Sequence, residues 1–67
     1  MPASLYFVLN EETNDLLCIY RARSITEVLE RFEADRLGRC RPVIRIVLGT
    51  VEWVLGVENG HYVRLDK

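Results

Sequence analysis

Four arginines, Arg36, Arg39, Arg41 and Arg45, fall within ten residues with no acidic residue among them. A guanidinium is a rigid, permanently charged fork that pairs with carboxylates and phosphates through two parallel hydrogen bonds. This stretch is therefore the candidate partner-binding segment of the chain. A plainer reading stands beside it: cations near the end of a helix complement the helix dipole, and charged loops are solvated. No aromatic residue interleaves with the arginines. Single-stranded nucleic acid is gripped by stacking as much as by charge, so a protein partner is expected before RNA or DNA.

The other residues that could do chemistry do not converge. His61 is the one histidine of the chain. Acid–base work would need an oriented carboxylate, and Glu58 and Glu52 are the nearest candidates along the chain, with nothing in the pattern to orient them. Cys18 and Cys40, with His61, fall one ligand short of a tetrahedral zinc site unless a carboxylate completes it. Their expected state is two reduced thiols. Glu27, Glu30, Glu33 and Asp35 line one side of the helix and read as a solvated face or as an acidic docking strip. No nucleophile–base pair and no phosphate-binding glycine loop is present. The chain is expected to be non-catalytic, with no cofactor and no metal.

At 67 residues the chain makes one domain, residues 1–67. A chain of this length buries only about 60% of its unfolded surface. Small domains of this kind lean on a disulfide, a metal or an oligomer interface. The hydrophobic share is nevertheless 49%. Such a fraction argues for a packed core and against intrinsic disorder and leaves apolar side chains to spare: Tyr6, Val8, Tyr20, Val43, Val47, Val54 and Tyr62. Some of these are expected on a surface that a protein partner or a second copy, as in a homodimer, covers. The net charge of -1 points neither to polyanion binding nor to mimicry of one. The start, Met1-Pro2-Ala3-Ser4, lacks a basic leader region, and no apolar run nears the length of a membrane span. A cytoplasmic location, with no membrane contact, is the expectation.

The elements that must position these residues are legible in the pattern. LYFVL (5–9) and LLCIY (16–20) are apolar runs flanking the polar cluster NEETND, which reads as an antiparallel hairpin. Neither run alternates cleanly, so both hairpin faces are expected to be covered. Ser24 and Glu27 have the spacing of a capping box. Ile25, Val28, Leu29 and Phe32 then form one apolar stripe, which predicts a helix over 25–37. Glu27 and Arg31 are placed as an i,i+4 ion pair, and Gly38 and Pro42 end the helix. The segments VIRIVL, VEWVLGV and HYVRL predict three further strands. Gly49-Thr50 suits a type II′ turn, which puts Ile44, Ile46 and Leu48 on one face with Val51, Trp53 and Leu55. For the last turn, a three-residue loop Glu58-Asn59-Gly60 places His61, Val63 and Leu65 beside Trp53 and Leu55. This register keeps one face wholly apolar. Val43, Arg45, Val47 and Val54 then occupy the other face. The expected architecture is a two-layer α+β domain, one helix on an antiparallel sheet, in the order β-β-α-β-β-β.

In its opening hairpin, its capped helix SITEVLERFEADRLG and its closing VIRIVLGTVEWVLGVENGHYVRLDK, the chain resembles small phage anti-CRISPR proteins of the type I-F inhibitor kind. The likeness is one of length and element order over most of the chain. It implies a stoichiometric inhibitor that sits on a subunit of a CRISPR effector complex and blocks target DNA binding. The alternatives are a homo-oligomeric accessory or regulatory protein, and a small nucleic-acid-binding module using the arginines from Arg36 to Arg45.

Overall fold

A computed structural model describes residues 2–35 and 41–65. Five strands and one helix follow in the expected order: β1 (Ser4–Asn10), β2 (Leu16–Ala22), α1 (Ile25–Asp35), β3 (Ile44–Leu48), β4 (Val51–Glu58) and β5 (His61–Arg64). The strands form one sheet in the order β2-β1-β3-β4-β5, every neighbouring pair antiparallel. The fold is therefore α+β, one helix packed on an antiparallel sheet. Because β2 and β3 both run antiparallel to β1, they run parallel to each other. Parallel strands cannot be joined by a tight turn, and α1 is the crossover that joins them, passing over one face of the sheet.

The helix starts where its sequence says it must. The Glu27 amide donates to Ser24 Oγ at 3.2 Å. The Glu27 carboxylate reaches back, but to the amide of Arg23 (2.9 Å) rather than that of Ser24. Val28 and Phe32 are buried, with Ile25 and Leu29 packed partly against the core. The expected Glu27–Arg31 pair gives way to another arrangement. Arg31 turns toward β2, donates to the Arg21 carbonyl at 2.8 Å and lies 4.9 Å from the centre of the Tyr20 ring. An aromatic face and a carbonyl hold a guanidinium better than one solvated carboxylate does. The predicted final turn and the Gly38 stop lie outside the described residues.

The core is the sheet face beneath the helix: Tyr6, Val8, Tyr20, Ala22, Ile44, Ile46, Leu55 and Tyr62, closed by Val28 and Phe32. Leu48 pairs with Val51 across Gly49-Thr50. Gly49 has φ +59 and Thr50 does not take a positive φ, the sign pattern of a type II′ turn. The predicted sharing of faces between β3 and β4 holds.

The predicted register of β5 does not. Glu58 pairs with His61, so the loop is the two-residue Asn59-Gly60, with φ of +54 and +83. Two left-handed residues in succession make a type I′ turn, whose twist matches that of the flanking strands. The consequence is that Tyr62 and Arg64 stand on the face of Trp53 and Leu55, while His61, Val63 and Leu65 take the other. Tyr62 explains the outcome. Its ring meets Phe32 edge-on at 5.7 Å, and its hydroxyl donates to the Pro42 carbonyl at 2.9 Å. It thus buries an aromatic body while satisfying its polar tip.

Candidate interaction surface

Among the described residues, no helix lies over the second face of the sheet. Along the strands it carries Leu5, Phe7 and Leu9 of β1, Leu16, Ile19 and Arg21 of β2, Arg45 and Val47 of β3, Glu52, Val54 and Gly56 of β4, and His61 and Val63 of β5. The pairings make these residues contiguous. Phe7 lies between Ile19 and Val47, and Leu9 lies between Leu16 and Arg45, which in turn faces Val54. Leu5, Phe7, Leu16, Ile19, Val43 and Leu65 are all exposed. The hairpin β1–β2 is therefore covered on one face only, against the expectation that both would be. The β2 strand is irregular at Leu17, where a bulge shifts the register so that Leu9 meets Leu16. This directs Leu17 toward the core and leaves Leu16 outside.

Leu65 extends the surface past the end of β5. Its amide donates to the Val54 carbonyl at 2.8 Å, and its side chain lies over Gly56. A Cβ at Gly56 would come within 2.9 Å of Leu65 Cδ1. The absence of a side chain at Gly56 thus lets Leu65 lie flat and keeps this corner level.

The arginine stretch divides. Arg36 and Arg39 lie outside the described residues. Arg41 is exposed and donates to the Gly60 carbonyl at 2.5 Å, which ties the segment before β3 to the type I′ turn. Arg45 stands on the open face, half-buried. Its guanidinium donates to Asn14 Oδ1 and sits 3.5 Å from a Glu11 carboxylate oxygen. Both partners belong to the β1–β2 loop, which is itself held by Asn10 Oδ1 accepting from the amides of Glu12 (2.8 Å) and Thr13 (3.1 Å). Arg45 therefore has a structural task, anchoring a loop, and its charge is met within the chain. Beside it a depression of about 290 Å³ is bordered by Glu11, Glu12 and Val43.

Comparison with protein-family models, with curated proteins and with solved structures finds no match.

The remaining candidates stay apart. His61 is exposed at the start of β5, opposite Glu58, whereas Glu52 sits at the far end of β4. Among the described residues, no three of the His, Cys, Asp and Glu side chains gather as a metal site would require, and no helix is long and apolar enough to cross a membrane. Cys18 is half-buried on the helix side, packed against the core, and Cys40 lies outside the described residues. Tyr20 donates to Asp35 Oδ2 at 2.6 Å. Burial first, then the hydrogen bond to Asp35 and that to Cys18, push its phenol well above the ordinary tyrosine range. This contact ties the end of α1 to β2. Of the surplus apolar residues, Tyr6, Val8, Tyr20 and Tyr62 are core, and Val43, Val47 and Val54 belong to the open face. Leu5, Phe7, Leu16 and Ile19 are surface residues whose signal is present in the sequence: the runs LYFVL and LLCIY, apolar throughout, put apolar groups on both faces of a strand. Leu65 reaches the surface through the two-residue turn, which reverses its expected face.

Proposed function

We propose that this chain is a non-catalytic protein-binding module whose working surface is the open face of the sheet. One observation carries the reading: the contiguous apolar set Leu5, Phe7, Ile19, Leu16, Val43 and Leu65 left exposed on one flat side of a small domain. Scattered surface apolars are ordinary, whereas a continuous patch across a sheet favours association by removing apolar area from water. The charged residues lie at its margins or are paired, as Arg45 is with Glu11, so docking need not strand an unpaired ion. Tagged wild-type protein and a Phe7→Glu variant, compared by capture from lysate, test this reading. A protein retained by the wild type and lost with the variant supports it, provided the far-UV circular dichroism of the two is the same. Equal retention by both, with the same mass in solution for both, refutes it.

The resemblance to phage inhibitors adds a specific proposal of the same class: a CRISPR effector subunit as partner, contacted by the arginines Arg36, Arg39, Arg41 and Arg45. Purified type I-F effector complex is the probe. Binding that weakens on charge reversal of Arg39 and Arg41, with an unchanged melting temperature, supports this assignment. No binding to the complex removes it.

A further inference from the structure

We infer that the open sheet face is covered by a second copy of this chain, giving a face-to-face dimer with the helices outside and two stacked sheets within. The inference rests on the reading of that face as the working surface and names its occupant.

Three features of the face favour a copy of itself. The first is extent. Strands about 4.8 Å apart, with a rise of about 3.3 Å per residue, give a five-strand face a flat footprint of about 400–500 Å² before side-chain relief is added. Over two copies that is about 800–1,000 Å², the low end of specific interfaces, and side-chain relief moves it toward the standard of about 800 Å² per partner. The second is shape. Two-fold association demands that a patch complement itself, and a flat apolar sheet does so, because twisted sheets stack about 10 Å apart at about −30° with their side chains interdigitated. Gly56, by letting Leu65 lie down across it, removes a ridge that would hold the sheets apart.

The third feature is charge. Arg45, near the middle of the face, is already met by Glu11 and Asn14. Arg21, opposite Leu5 on β2, and Glu52, opposite Val47 on β4, lie on opposite sides of β3. A two-fold axis parallel to β3 swaps the β2 side of one sheet onto the β4 side of the other. It brings Arg21 of each copy toward Glu52 of its partner, once in each direction. A net charge of -1 per chain leaves little repulsion between copies.

Light scattering on a size-exclusion column and sedimentation equilibrium of the full chain test the dimer. The wild type is expected at twice the chain mass. Phe7→Glu is expected at the single-chain mass, with unchanged circular dichroism. Glu52→Arg, which sets like charges together, should raise the dissociation constant at least about tenfold, and the double exchange Arg21→Glu with Glu52→Arg should recover most of that loss. A wild type that stays monomeric at millimolar concentration overturns the inference, as does a dimer that survives Phe7→Glu unchanged, or a double exchange that recovers nothing. If the wild type is monomeric but Phe7→Glu abolishes capture of a different protein, the dimer falls and the binding module stands. If Phe7→Glu alters neither mass nor capture, both fall.

Discussion

Replacing Tyr62 tests the register of β5, on which the identity of both sheet faces depends. Tyr62 is 8% exposed, packs edge-on against Phe32 at 5.7 Å and donates to the Pro42 carbonyl at 2.9 Å. Truncation of a buried aromatic to alanine costs about 3–5 kcal/mol, whereas loss of one hydrogen bond to a backbone carbonyl costs about 1 kcal/mol. A domain of this length has a total stability of about 3–10 kcal/mol. Tyr62→Ala should therefore remove about a third or more of the total stability, and Tyr62→Phe should lower stability by about 1 kcal/mol. Val63, half-buried on the open face, should lose only about 1 kcal/mol on truncation to alanine, much of it strand propensity. The assay is urea unfolding followed by the fluorescence of Trp53, the one tryptophan. Phe7→Glu serves as the background, so that association through the open face does not enter the measurement. The slipped register with a three-residue loop reverses the ranking, because Val63 and Leu65 would then be core and Tyr62 surface. A Val63→Ala variant less stable than Tyr62→Ala would refute the two-residue turn and the face assignment built on it.

Other outcomes follow from the same contacts. Gly60 has φ +83 with open space around the missing Cβ, so Gly60→Ala should cost about 1–2 kcal/mol from backbone strain alone, read as a lower urea midpoint with unchanged slope. Ser24→Ala, which removes the acceptor for the Glu27 amide, should cost about 1 kcal/mol and reduce the helical signal at high temperature. The raised folded-state pKa of Tyr20 means the native state holds that proton more tightly than the unfolded chain, whose tyrosine titrates at about 10. Its contribution is therefore complete below about pH 10 and declines as pH rises above it. Melting temperatures should drop through that alkaline range, with a shallower drop in Tyr20→Phe; identical slopes would count against the assignment. Arg45→Ala should release the β1–β2 loop, seen as faster amide exchange over residues 11–14 and little change at β4.

Much of the fold was legible because its signals are local. The Ser24–Glu27 cap, the stripe Ile25, Val28, Leu29 and Phe32, and the Gly49-Thr50 turn each depend on residues a few positions apart, and each formed near the expected place. The candidate site was legible in part. Val43, Arg45, Val47 and Val54 were placed on the uncovered face from β3–β4 register alone, whereas the engagement of Arg45 with Glu11 and Asn14 joins segments some thirty residues apart and left no mark in the pattern.

The sequence by itself determined which residues form strands, where the helix begins, and that apolar groups exceed what one core can hold. Only the tertiary structure decided which face each strand of the last hairpin shows. Choosing a register by keeping one face apolar presupposes that the other face is polar. Here both faces are largely apolar, so alternation carries no sign, and a tyrosine looks as fit for the surface as for the core. What broke the tie is a contact between distant elements. Phe32 on the helix offers its ring, and the Pro42 carbonyl accepts the hydroxyl, so Tyr62 turns inward and Val63 and Leu65 are sent to the open face.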